Sequence, residues 1–169
     1  MLISLLRTFE NLGGSAYNYH AVYGFTKDSN FAITGVKVRD KLNHQTFSIA
    51  AKVVINATGT LTDSILDIDE PAAKHKNVTA AQGTHLVFSK DIFNSTHALV
   101  IPRTTDKRVL FVLPWHDKVV VGTTDVAVND PELDPQAQAS EIDFILQTLN
   151  QYTAYPISSK NIKSIFAGQ

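Results

Sequence analysis

Apolar residues near the start of the chain recur at helical spacing. Leu2, Leu5, Leu6, Phe9 and Leu12 fall on one face, and Gly13-Gly14 behind them supplies a left-handed C-cap. This predicts an amphipathic helix over 2–12. From Ser15 the pattern changes. "SAYNYHAVYGFTKD" is rich in aromatic residues and Val and reads as a strand with a bend near His20. "FAITGVKVRD" and "HQTFSIAAKVVIN" read as strands on either side of the polar turn "DKLN". Together they predict a small antiparallel meander feeding a buried strand over Lys52–Asn56.

After Gly59, "TLTDSILDI" predicts a short helix with Thr60 or Thr62 near its start. Residues 67–80 are polar and irregular. "THLVF" at 84–88 is strand-like. Three apolar runs follow, "HALVIP", "RVLFVLPW" and "KVVVGTT", separated by polar turns. Runs of this kind predict consecutive antiparallel strands. "VNDPELDP" is a loop, with two prolines. Ser140 and Asp143 have capping-box spacing, and Ile142, Ile145, Leu146, Leu149 and Tyr152 continue an amphipathic helix behind them. "NIKSIFAG" is a last strand. The chain opens on a helix with no strand before it and closes on an apolar strand, which leads us to expect a piece of a longer protein.

Composition narrows the classes. With 44% hydrophobic and 18% charged residues, the 169-residue chain is of ordinary globular make-up. A net charge of −1 provides no basic surface for nucleic acid. There is no cysteine, which excludes disulfides and thiolate metal sites and fits a reducing compartment. The first residues are neither a signal peptide nor a transmembrane span, so the sequons at Asn77 and Asn94 carry little weight. The histidines lack metal-ligand spacing, and we expect no metal.

"VVINATG", Val53–Gly59, is a buried-strand pattern that runs into a turn of small residues with one hydroxyl. A backbone bearing only Ala57, Thr58 and Gly59 can approach a bound ligand closely. A plain tight turn is the simpler account of the same residues. No G-x-G-x-x-G occurs anywhere in the chain.

"VVINATGTLTDSIL", "GTHLVF", "RVLFVLPWHDKVVVGTTD" and "SEIDFILQTLN" occur in that order. In this arrangement the chain resembles the FAD-dependent glycerol-3-phosphate dehydrogenases of the flavin DAO-like superfamily, over nearly its whole length. "LPW" with "VGTTD" is the most specific part. The family commonly has proline where this chain has Thr60. The resemblance implies an α/β (α+β) protein. Part of a discontinuous FAD-binding domain would occupy residues 1–60, with "VVINATG" as the strand that returns to it. A substrate-binding antiparallel sheet with helices would occupy 61–169. It implies FAD as cofactor and oxidation of glycerol 3-phosphate to dihydroxyacetone phosphate. His85 of "GTHLVF" matches the family histidine on the substrate side and is the implied proton acceptor. Thr124 of "GTTD" matches a pocket-lining threonine, while Asp125 is expected to brace the loop.

The family's phosphate-binding arginine and lysine lie beyond the match to "SIFAGQ". We therefore expect the 169 residues alone to be inactive and to retain no FAD. The parent enzyme is expected in the cytoplasm, with peripheral association at the inner face of the cytoplasmic membrane left open. Two rival readings are a non-catalytic binding or oligomerisation module and an amine or amino-acid oxidase of the same superfamily. Without the resemblance, His85 reads more readily as a hydrogen-bonded strand-face histidine, and Thr124 equally well as a β-branched strand end. Arg103, Lys107 and Arg108 read as a solvated hairpin turn that could also hold a phosphate.

Overall fold

The computed structural model describes residues 1–73, 75–93, 95–104 and 107–169. Asn94 of the second sequon, and Thr105 and Asp106 of the cationic turn, lie outside the described residues. Backbone packing divides the chain into two compact units, Met1–Lys76 and Asn77–Gln169.

The first unit begins with α1, Leu2–Asn11. Gly13 stands at φ +90°, and the Gly14 and Gly13 N–H groups return to Phe9 O and Glu10 O. This is a Schellman termination, in which glycine takes the left-handed position without steric cost. The strands β1 (His20–Lys27), β2 (Ile33–Asp40) and β3 (Thr46–Ala50) form the expected meander. Asp28 ties the first turn by accepting the N–H groups of Asn30 and Ala32. α2, Thr62–Asp69, closes the unit.

One expectation fails here. Lys52–Asn56 is not a buried strand: Val53 and Ile55 are 74% and 83% exposed. A run apolar at every position is what a strand enclosed on both faces looks like. Among the described residues no strand pairs with it, so it has no ladder to join.

The second unit contains the core. β4 (Ala80–Ser89) is the spine of a six-stranded sheet. It is longer than the 84–88 expected from the apolar run, because Gln82 and Thr84 are buried polar residues on its inward face. β5 (Leu99–Ile101), β6 (Leu110–Trp115) and β7 (Lys118–Gly122) follow as consecutive antiparallel neighbours, as their periodicity predicted. β8 (Val126–Val128), which the sequence did not suggest, pairs with the start of β4. β9 (Ile162–Gly168) pairs along β4 as well.

α3, Ala139–Asn150, covers one face of this sheet. Leu86, Phe88, Val119, Val121, Leu110 and Val112 pack there with Ile145 and Leu149. The helix opens at Gln138, with Glu141 as its capping-box partner, not at Ser140 with Asp143. The shift puts Glu141 on the buried side, where it has further hydrogen-bond donors to meet. Tyr152 lies past the helix end and is half exposed.

Candidate active site on the open face of the sheet

Side chains alternate across a strand, so whatever faces away from α3 forms a second surface. Across five strands the register aligns Val100, Phe111, Gly122, His85 and Phe166 in one row on that surface. Leu113 and Trp115 extend the face along β6. These residues, His85 and Gly122 apart, are all at least two-fifths exposed. The result is an apolar, aromatic platform with a single imidazole in it.

His85 is held by its neighbours in the row. Its ring stacks on Phe166 with centroids 4.9 Å apart and planes 6° from parallel. It leans over Gly122, where an added Cβ would lie 2.3 Å from the imidazole Cδ2. Glycine at 122 is thus the notch that admits the ring. Among the described residues no hydrogen bond reaches either imidazole nitrogen. Burial pushes the His85 pKa down, so the ring is neutral at neutral pH and free to take a proton.

Next to this row the sheet is irregular. Gly122 pairs with His85 and Val126 with Gln82, so β7 and β8 together advance four residues while β4 advances three. The extra residue makes a β-bulge, a device that re-aims side chains beside active sites. Within it Thr124 is 4% exposed and faces the helix side. Its hydroxyl donates to Glu141 Oε1 at 2.5 Å and accepts the Thr84 N–H at 2.8 Å. Thr123 takes the other side: its hydroxyl occupies the space over Gly83, where a Cβ would come within 2.4 Å. Gly83 and His85 share a face of β4, so the hydroxyl on the open face is that of Thr123. The signal for this lay in the paired hydroxyls of "GTTD"; alternation alone could not say which one points out, because a bulge resets it. Asp125, in the same segment, makes an ion pair with Arg108 at 3.5 Å.

The turn in the first unit has its own geometry. Asn56 Oδ1 accepts both the Thr58 hydroxyl, at 2.8 Å, and the Thr58 N–H, at 3.3 Å. Gly59 sits at φ +58° with open space where a side chain would project. Thr60, in place of the family's proline, lies in a single 3₁₀ turn, and Thr62 Oγ1 donates to Gly59 O at 2.7 Å. Thr58 also borders a groove of about 340 Å³ lined by Val22, Phe25, Val36, Ile65 and Leu66. Among the described residues no cluster of three potential metal ligands occurs, and no helix is long and apolar enough to cross a membrane.

Residues 1–168 match the FAD dependent oxidoreductase family, DAO. The chain is 35% identical over 173 residues to a probable mitochondrial glycerol-3-phosphate dehydrogenase of Dictyostelium discoideum, covering 96% of this chain and 26% of that one. It is 33% identical over 170 residues to the corresponding protein of Caenorhabditis elegans, covering 99% and 23%. The crystal structure of the glycerol-3-phosphate dehydrogenase from Bacillus halodurans complexed with FAD superposes with a TM-score of 0.85 at 30% identity, over 94% of this chain and 32% of that one. The chain thus spans about a quarter of the length of these curated relatives. With the match running from the first helix through the last strand, the chain belongs to the FAD dependent oxidoreductase family.

Proposed function

We propose that the protein bearing this chain oxidises glycerol 3-phosphate to dihydroxyacetone phosphate with FAD, and that His85 accepts the hydroxyl proton. The carrying observation is the single imidazole of His85, stacked on Phe166 and seated over Gly122 in an apolar, aromatic face. The names of the relatives supply the substrate.

Within the first unit, the small residues Ala57, Thr58 and Gly59, with open space at Gly59, favour close approach of FAD to the backbone. Within the second unit, the aromatic face around His85 favours a flat ring. Bound FAD supplies the two-electron acceptor for the carbon–hydrogen bond at C2. The chain's own part is to receive the proton. A neutral imidazole near the C2 hydroxyl takes it as the carbonyl forms. Thr123 presents a hydroxyl on the same face for a polar group of the substrate. Thr124, which the sequence suggested as a pocket residue, contributes by holding the bulge.

The test is His85→Asn in the FAD-loaded protein, assayed by reduction of a dye acceptor with glycerol 3-phosphate. We expect kcat to fall about 10²-fold, the usual size of a general-base contribution, with flavin content and melting temperature nearly unchanged. In the wild type, kcat/KM should fall on the acid side with an apparent pKa below about 6.5, and this limb should vanish in the variant. Wild-type turnover in His85→Asn removes His85 as the base.

A further inference from the structure

A carboxylate out of contact with water is costly unless donors surround it. Glu141, 2% exposed, is such a group. Its Oε1 accepts the Thr124 hydroxyl, and its Oε2 accepts Gln82 Nε2 at 2.7 Å and the Gln138 N–H at 2.9 Å. Burial works to raise its pKa, but the hydrogen bonds from Thr124, Gln138 and Gln82 outweigh it, and the carboxyl is held below its usual range. It is therefore an anion, able only to accept.

That fixes the direction of the chain it terminates. Thr124 has one proton to give, and the carboxylate takes it. A lone pair is left aimed at the Thr84 N–H, one residue before His85 on β4. In a regular ladder a backbone carbonyl fills that role; at the bulge a side chain does it instead. Thr123 is locked next to it, since its hydroxyl donates to the Thr124 carbonyl at 2.9 Å. A helix cap would need only the contacts with Gln138. The bond to Thr124 reaches across to the bulge that adjoins β4, the strand of His85.

We propose that Glu141 is a positioning residue: acting through Thr124, it sets the geometry of the bulge, and with it the placement of Thr123 and His85 on the open face. The inference rests on the reading of that face as the active site. It assigns Glu141 no contact with substrate or cofactor.

Thr124→Val removes the hydroxyl and keeps the shape, and Thr124→Ser restores the hydroxyl. On the full 169-residue chain, NMR can follow amide exchange at Thr84 and titration of the His85 imidazole. In Thr124→Val we expect Thr84 exchange to accelerate about tenfold or more relative to Leu86 and Phe88, and the His85 pKa to move back toward its ordinary value. Thr124→Ser should return both to wild type. If Thr124→Val does not fold, Glu141→Gln serves, because its amide must set a donor against Gln82, Gln138 or Thr124. In the FAD-loaded protein kcat should drop by up to about 10²-fold with KM little changed, as a small misplacement of a catalytic group does. The proposal is overturned if melting temperature falls while Thr84 exchange, measured against Leu86, and the His85 titration stay as in the wild type. Both NMR readouts need neither flavin nor substrate. A wild-type protein that fails to oxidise glycerol 3-phosphate would overturn the proposed function and leave the NMR result to decide the role of Glu141.

Discussion

At the scale of the residue, the placement of His85 depends on what is missing beside it. Gly122 lacks the Cβ that would strike the imidazole at Cδ2, Cγ and Nε2, at 2.3, 2.8 and 2.8 Å. Gly122→Ala should push the ring off Phe166 and out of its row. We expect a stability loss of about 1–3 kcal/mol from overpacking. We also expect turnover in the FAD-loaded protein to fall by up to about 10²-fold through misplacement of the base. Paired measurements of melting temperature and kcat check it; a variant with unaltered turnover would show that the ring position is immaterial. Of the residues that matter here, His85 was legible in "GTHLVF". Gly122 was visible only as part of a motif. Phe166 was hidden, because it stands far along the chain and meets His85 only through strand pairing.

At the scale of the element, the junction of α3 with β4 is the polar part of an otherwise apolar interface. Glu141 joins the helix start to Gln82 and Thr124. Its folded pKa is depressed, so the folded state binds this proton less readily than the unfolded one. The stabilisation is therefore complete above the unfolded value of about 4.3 and is lost as pH falls through the folded value. Melting temperature should drop more steeply as pH falls below about 4.3 in the wild type than in Glu141→Gln. Parallel slopes would mean that the carboxylate contributes no acid sensitivity. The capping position itself could be read from the sequence to within a few residues. That the N3 glutamate would turn inward could not, because a glutamate there is usually solvated and only the approach of Gln82 and Thr124 makes a buried one tolerable.

At the scale of the whole molecule, the two units differ in how much they bury. In Met1–Lys76 the only buried hydrophobic residue among those described is Val38, at 4% exposure. The continuous hydrophobic cluster lies entirely in the second unit, around β4, β6, β7 and α3. Amide protection tracks such burial. Hydrogen exchange should therefore be slowest in β4, β7 and α3 and markedly faster throughout β1–β3; equal protection in both units would contradict this. The same scale governs the flavin. The 169 residues contain no G-x-G-x-x-G, and the pyrophosphate would lack its main-chain donors and helix N-terminus. The purified chain alone should be colourless, and a visible absorbance band at one flavin per chain would refute that expectation.

The sequence by itself determined the helices, the meander and the three consecutive antiparallel strands. These follow from local periodicity and turn chemistry, which act over a few residues. It also carried the family, because several motifs stand in order, and through the family it pointed to His85 and to the turn at Ala57–Gly59. The tertiary structure decided the rest. Among the described residues it showed "VVIN" without a strand partner, since a ladder needs a second chain segment that no pattern within the strand supplies. It turned the Thr124 side chain toward the helix and left the Thr123 hydroxyl over Gly83, because one extra residue in a bulge reverses which side chain faces the helix. It also drew Glu141, Gln82 and Thr124 into one hydrogen-bonded group from three separate stretches. Alternation and spacing describe a strand's neighbours along the chain; register and packing, set by the whole sheet against α3, choose its neighbours in space.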